Sequence, residues 1–206
     1  MARVDRDQVL DGAMTCIARV GLAKTTLDDV ARAAGCARAT VYRTFASKQL
    51  LLNALVEREV RRLQATVLEA AADAPTLGEA ITATITTAAH ALVAHEPLAF
   101  IATYEPEVFL PYLAFEKERA FYTSAAALAA PAFARFLDAD NAKRLGEWVT
   151  RITLSYLCDP PEHFDVFDEQ QVKALIVDFV LPGFTEPAGN DNRIRLEGIT
   201  LEGIRQ

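Results

Sequence analysis

Residues 35–48, GCARATVYRTFASK, concentrate side chains that suit binding to a nucleic acid. An arginine can donate two hydrogen bonds to guanine in the major groove, and the hydroxyl and methyl of Thr40 can contact thymine. Ala39 is small enough to let a helix approach the bases. Tyr42 and Lys48 suit phosphates, which fix register rather than sequence. The residues predicted to contact DNA are Thr26, Arg38, Ala39, Thr40, Tyr42, Arg43, Thr44 and Lys48.

Two predicted helices and a tight turn position these side chains. The first begins at TTLDDVARAAG, where Thr26 and Asp29 have the spacing of a capping box. Gly35 ends it, because glycine tolerates the left-handed backbone of a tight turn. A short helix follows over about residues 38–45, with Val41 on its inner face. This arrangement is typical of a helix-turn-helix, although a helical hairpin with surface Tyr and Arg in an ordinary bundle remains an alternative.

The rest of the chain also has the apolar periodicity and the capping and terminating residues of helices. Apolar residues recur at three-and-four spacing over residues 5–20, where Gly21 is expected to end the first helix. Ser47 can cap a fourth helix that runs to about Ala72. The predicted fold is all-α, a three-helix DNA-binding domain followed by a helical body. The predicted divisions are 1–48 for DNA binding, 49–184 for effector binding and dimerisation, and a weakly ordered polar tail at 185–206.

Charge is divided unequally along the 206 residues. Residues 1–65 hold eleven Lys and Arg against seven Asp and Glu, whereas the remainder holds ten against twenty-one, and the net charge is −7. A basic end on an acidic body indicates that one end meets a polyanion. Chance clustering on solvated helix faces is the alternative.

Composition indicates a globular protein. Half of the residues are apolar and a quarter are charged, which is enough for a packed core. The sequence has no uncharged apolar run of eighteen residues, and the acidic residues among the first twenty do not fit a secretory signal. Three well-separated cysteines form no metal-type pair. We therefore expect a cytoplasmic protein without a membrane partner.

The segment TTLDDVARAAGCARATVYRTFASKQLLLNAL resembles the N-terminal domain of the TetR family of transcriptional regulators. The matching positions, all in one register, are Thr26, Val30, Ala31, Ala34, Gly35, Thr40, Val41, Tyr42, Phe45, Lys48 and Leu51. The resemblance implies DNA contact by Thr26, Arg38, Thr40, Tyr42 and Lys48. EPEVFLPYL, RITLSYLCDPPEHFDVFD and FVLPGF resemble a subset of actinobacterial members.

Two positions depart from the family pattern. Ala37 replaces the usual Ser or Thr at the start of the recognition helix, which removes a cap worth roughly 1 kcal/mol. Thr44 replaces the usual His or Tyr before Phe45. Its hydroxyl can bind a phosphate but reaches less far.

The resemblance also implies a homodimer and a small-molecule effector. The last two strong helices, about residues 141–157 and 169–181, are the predicted dimer interface. Their apolar stripes are Leu145, Trp148, Val149, Ile152 and Tyr156, and Leu175, Ile176, Phe179 and Val180. The alternative is that these stripes face the monomer's own core.

The density of central aromatics indicates a largely hydrophobic effector, because ligand pockets are mostly apolar. The predicted ligand-binding residues are Phe100, Tyr104, Phe109, Tyr112, Phe115 and Tyr122. Ordinary core aromatics are the alternative for each.

Signals for an enzyme or a metal site are weak. His90 and His95 are about 140° apart around a helix, so they do not share a face. The sequence has no glycine-rich phosphate loop and no nucleophile motif. We expect no catalytic residue, no metal and no cofactor. A ligand-responsive repressor on a palindromic operator is the leading hypothesis; a helical-bundle enzyme and a ligand-independent DNA-binding activator are the alternatives.

Overall fold

The computed structural model describes residues 5–107 and 120–185, and every regular element within them is helical, as predicted. All but the first residue of the predicted tail lies outside the described residues. The helices are α1 (Arg6–Lys24), α2 (Leu27–Ala33), α3 (Arg38–Thr44), α4 (Lys48–Ala71), α5 (Leu77–Val93), α6 (Glu96–Tyr104), α7 (Ala120–Phe133), α8 (Ala139–Cys158), α9 (Glu169–Leu175) with a π-helical turn (Ile176–Val180), and α10 (Pro182–Thr185).

Helix α1 is longer than predicted. The sequence indicated an end at Val20, but the helix resumes after a break at Gly21, whose φ is 84° and ψ is 170°. The Glu105 carboxylate accepts hydrogen bonds from the N–H groups of Leu22 and Ala23. A second short helical segment can therefore begin there, because its first N–H groups have an acceptor.

The helix-turn-helix forms from local signals that are visible in the sequence. Thr26 and Asp29 form the predicted capping box at the start of α2, and Gly35 has a φ of 63° in the turn. Ala37 precedes α3 without a side-chain cap. Val41 is fully buried, so α3 is fixed on the domain by its inner face.

Two apolar clusters organise the described residues. The N-terminal cluster joins α1, α2, α3 and the first turns of α4, and the partly buried Ile101 of α6 packs against it. The body cluster joins α5, α7, α8 and α9 around the fully buried Phe133. Leu55 belongs to the first cluster and Ala71 to the second, so α4 is a continuous connection between the two clusters.

The predicted dimer stripes contribute to the monomer's own core. Leu145, Val149, Ile176 and Val180 are buried within the body cluster. The expectation that these four face a partner was wrong, because α8 and α9 pack against α5 and α7 through them. Phe179, on the outer side of the π-helical turn, is 79% exposed.

No single helix in the described ranges is long and apolar enough to cross a bilayer. Helices α5 and α6 reach that length and composition only when taken together, and they are bent by 71°.

Candidate DNA-binding surface and effector cavity

Helix α3 carries most of the residues predicted to contact DNA. Arg38, Ala39, Tyr42 and Arg43 are exposed, and Thr40 is half-buried. The Tyr42 side chain is 51% exposed even though it lies beside the buried Val41. A large aromatic exposed on a basic face is available to bind a phosphate. The face therefore presents the kinds of group that contact bases and phosphates in protein–DNA complexes.

Arg38 forms an ion pair with Asp28 of α2. Both side chains are partly exposed, and such surface pairs contribute little net free energy. Arg38 can therefore exchange this partner for guanine at small cost. Sequence reasoning missed Asp28, although acidic residues at the first turn of a helix are a recognisable signal.

Thr26 participates in the cap rather than pointing freely to solvent. Its hydroxyl accepts from the Asp29 N–H at 3.2 Å and donates to the Asp29 carboxylate. The Thr26 hydroxyl and N–H, with a smaller contribution from Arg32, lower the pKa of Asp29 from its ordinary value of 3.8. A phosphate contact by the exposed Thr26 would share its oxygen with this cap.

Lys48 and Thr44 have partners that the sequence did not indicate. The Lys48 Nζ donates to the carbonyls of Leu22 at 2.6 Å and Ala23 at 3.2 Å. These bonds fix the end of α1 to the start of α4. The exposed Thr44 hydroxyl donates to the Thr40 carbonyl at 2.8 Å. Phosphate binding by Lys48 would thus use the third donor of the ammonium or replace one of these bonds.

A buried arginine connects the middle of α4 to α1. Arg58 is 7% exposed, and its guanidinium donates to the Asp11 carboxylate at 2.8 Å, the Asp7 carbonyl at 3.2 Å and the Glu59 carboxylate at 2.8 Å. Buried charges require partners of this kind. Arg58 is one of the eleven basic residues of positions 1–65, but its charge is paired with carboxylates within the protein.

A cavity of about 550 Å³ lies in the body, where the loop after α8 meets the end of α5. Its apolar side includes Val93, Tyr156 and Phe164, and the rings of Tyr156 and Phe164 are 4.5 Å apart. Glu162, His163, Asp165 and Gln171 supply charged and polar groups. Val93 is exposed at the edge, so the cavity is open to solvent. Small-molecule sites also combine apolar walls with polar groups that orient the ligand.

Two of the six aromatics predicted to bind a ligand, Phe100 and Tyr104, are among the described residues, and neither lines this cavity. Phe100 lies against Gly21 at the contact between α6 and α1, and its ring is 4.8 Å from that of Tyr104. Tyr104 is 69% exposed. Phe109, Tyr112, Phe115 and the side chain of Tyr122 lie outside the described residues.

His90 and His95, the two histidines considered as metal ligands, have hydrogen-bonding partners within their own helices or helix ends. His90 Nδ1 lies 2.8 Å from the Thr86 carbonyl, and His95 Nδ1 accepts from the Leu98 N–H at the start of α6. Over residues 5–107 and 120–185, no group of three or more His, Cys, Asp or Glu side chains is placed to hold a metal ion.

The model of the bacterial regulatory proteins of the tetR family matches residues 9–55, from α1 into α4. An uncharacterised HTH-type transcriptional regulator of Mycobacterium tuberculosis is 32% identical over 180 residues, which cover 85% of this chain and 83% of that protein. The chain belongs to the tetR family. It is a DNA-binding transcriptional regulator and not an enzyme.

Solved tetR-family structures share the fold. The repressor AlkX from Dietzia sp. strain DQ12-45-1b, implicated in biodegradation of n-alkanes, has a TM-score of 0.62 at 21% identity and covers 86% of this chain and 95% of its own. The Bacillus subtilis regulator FadR in complex with stearoyl-CoA has a TM-score of 0.55 at 18% identity, covering 84% and 98% respectively. At these identities the likeness establishes the fold alone.

Proposed function

We propose that this tetR-family regulator is a homodimeric repressor that binds a palindromic operator and is released by a largely hydrophobic small molecule. The observation that carries the proposal is the outer face of α3. Arg38, Tyr42 and Arg43 are exposed there together, while Val41 fixes the helix from below. In this proposal Arg38 and Thr40 read bases, Thr26, Tyr42 and Lys48 bind the DNA backbone, and Ala39 lets the helix approach the bases.

The charge distribution supports DNA as the partner. The basic excess lies in residues 1–65, and the acidic body repels DNA from the other end. Arg58 is already neutralised by carboxylates, whereas Arg38 and Arg43 of α3 are exposed and can reach phosphates. Binding through them releases counterions and should weaken linearly as the logarithm of salt concentration rises.

A second copy of the chain would cover an exposed aromatic side chain on the last helices. Phe179, one of the predicted dimer residues, is 79% exposed, and large aromatic side chains often anchor protein interfaces. A single helix-turn-helix reads few base pairs, whereas a two-fold dimer places two recognition helices about 34–36 Å apart along DNA. The dimer proposed here uses the outer side of the π-helical turn rather than the buried stripes.

The effector proposal rests on the body. The cavity of about 550 Å³ lies within the size range of ligand sites, roughly 300–1,000 Å³. Its aromatic lining suits an apolar ligand. AlkX is implicated in biodegradation of n-alkanes, and FadR was solved in complex with stearoyl-CoA; both are consistent with an effector of this class. Such a ligand would release DNA only by binding more tightly to the conformation that does not fit the operator.

The first experiment selects double-stranded DNA from a randomised library with the purified protein and titrates the selected sequence at two salt concentrations. Arg38→Ala should relax preference at the base it reads, by about 1–3 kcal/mol, whereas Tyr42→Phe should weaken all sequences equally. Lys143→Ala removes an exposed cation on α8 and serves as the control. Failure to select a palindrome, or binding that salt does not weaken, would refute the proposal.

The second experiment tests the effector. Long-chain fatty acids, their coenzyme A thioesters and alkanes are added to the protein, and thermal unfolding and release of the selected DNA are both measured. A ligand at a hundred times its Kd should stabilise the protein by about 2.7 kcal/mol. Selected DNA that none of these compounds releases would identify the chain as a regulator independent of this class of ligand.

A further inference from the structure

Helix α6 of the body ends at a carboxylate that binds the DNA-binding domain. Glu105 is 7% exposed. Its Oε2 accepts from the Leu22 N–H at 2.7 Å and its Oε1 from the Ala23 N–H at 3.1 Å, across 83 and 82 positions of sequence. We refer to these two hydrogen bonds as the Glu105 clamp. Hydrogen bonds to a charged group are among the stronger ones, so the contact is directional as well as apolar.

Gly21 permits the clamp. Its φ of 84° and ψ of 170° interrupt α1 immediately before the two bonded N–H groups. A Cβ at Gly21 would lie 2.4 Å from Glu105 Oε1 and 2.8 Å from the Phe100 ring. The close approach of α6 to α1 therefore requires glycine at this position.

The same short segment is held from its other side by α4. The carbonyls of Leu22 and Ala23 accept from Lys48 Nζ, and the Thr25 hydroxyl donates to the Gly21 carbonyl at 2.6 Å. A carboxylate thus binds the N–H groups of two residues, and an ammonium binds the carbonyls of the same two residues. The next residue, Thr26, caps α2, so the segment leads directly into the helix-turn-helix.

The opposite end of α6 is attached less directly. His95 Nε2 lies 3.7 Å from a Glu59 oxygen, which is too far for a hydrogen bond. Of these two polar contacts, only the Glu105 clamp hydrogen-bonds α6 to α1, and Ile101 of α6 adds an apolar contact with the same domain.

We propose that Glu105 is a positioning residue for DNA binding: its clamp fixes the helix-turn-helix on the body at the angle at which two α3 helices of a dimer match one half-site spacing. This inference rests on the proposed function. Loosening the clamp widens the range of angles, so the dimer accepts altered spacings more readily while each α3 reads its bases unchanged.

The test compares wild-type protein with Glu105→Gln, which replaces the charged acceptor and brings an N–H₂ group next to two donors. Each protein is titrated with the palindrome selected by the wild type and with versions carrying one base pair more or fewer between the half-sites. The affinity ratio between the original and altered spacings should fall at least threefold in Glu105→Gln. Glu96→Gln, which changes an exposed carboxylate on the same helix, should retain the wild-type ratio.

A merely structural role would lower thermal stability without changing this ratio, and a folded Glu105→Gln protein with the wild-type ratio would overturn the proposal. If Glu105→Gln does not fold, the proposal is tested in the unmodified protein, by measuring amide hydrogen exchange of Leu22 and Ala23 with and without DNA. By reciprocity, DNA that binds the clamped state should slow their exchange, and unchanged or faster exchange would overturn the proposal. Failure to select a palindrome at all would instead refute the proposed dimeric operator binding.

Discussion

Replacing Gly21 by alanine should destabilise this protein far more than the same change at Gly35. Both glycines have positive φ, 84° and 63°, but their surroundings differ. A Cβ at Gly21 would lie 2.4 Å from Glu105 Oε1, whereas nothing lies within 4 Å of a Cβ at Gly35. The pair of substitutions therefore separates the cost of the backbone conformation from the cost of the contact.

The expected magnitudes follow from these surroundings. At Gly35 the only cost of alanine is the left-handed backbone conformation, which lowers the free energy of unfolding by about 1–2 kcal/mol. At Gly21 the backbone region is almost restricted to glycine and costs about 1–3 kcal/mol, and displacing a buried carboxylate from two donors costs roughly 1–3 kcal/mol more. The total is about 4 kcal/mol, which at about 2–4 °C per kcal/mol for a chain of this size lowers Tm by roughly 8–16 °C.

Calorimetric unfolding of the two variants and of Gly21→Ala/Glu105→Gln provides the measurement. Once alanine at position 21 has displaced Glu105, changing Glu105 should add little. The loss of unfolding free energy in the double variant should therefore be smaller than the sum of the losses in the two single variants by about 1–2 kcal/mol. Equal Tm losses for Gly21→Ala and Gly35→Ala, or strictly additive effects in the double variant, would refute the reasoning.

Three further predictions concern the cap, the dimer and the ion pair beside the recognition helix. The pKa of Asp29 is lowered from 3.8, so its contribution to stability is present above that value and lost as pH falls through the lowered pKa; Thr26→Ala should raise this pKa toward 3.8 in an NMR titration, and an unmoved pKa would contradict the assignment. Phe179→Glu should convert the dimer to monomer in analytical ultracentrifugation, whereas Val56→Glu, at an exposed site on α4, should leave it dimeric; a dimeric Phe179→Glu would exclude this surface. Asp28→Asn should leave Tm within about 4 °C of the wild type, because exposed ion pairs contribute at most about 1 kcal/mol. It should tighten DNA binding by removing a negative charge beside Arg38; weaker binding would mean that Asp28 positions Arg38 for its base.

Local signals made the DNA-binding half predictable. The capping box at Thr26, the glycine turn at Gly35 and the cap at Ser47 depend on residues within a few positions of one another, and each has the predicted form. The apolar period of α3 likewise assigned Val41 to the inside. These features follow from backbone geometry and short-range hydrogen bonds, which a sequence pattern records directly.

Side-chain partners across the fold were not predictable in this way. The sequence did not indicate that the Lys48 ammonium contacts the end of α1. It also did not indicate that the Phe100 ring lies against Gly21. A periodic stripe specifies that a residue is apolar on one face without specifying which neighbour covers it, and Leu145 and Ile176 were accordingly assigned to a partner although they pack within the monomer.

The sequence by itself determined an all-helical regulator with a helix-turn-helix near its N-terminus, because caps, turns and periodicity are local and the family pattern extends through them. Only the tertiary structure decided how that domain is attached to the body. Glu105 and Gly21 are 84 positions apart, and neither residue carries a local signal of the other. Their contact exists because α6 packs against the break in α1, where a buried carboxylate stabilises two N–H groups that the helix no longer satisfies.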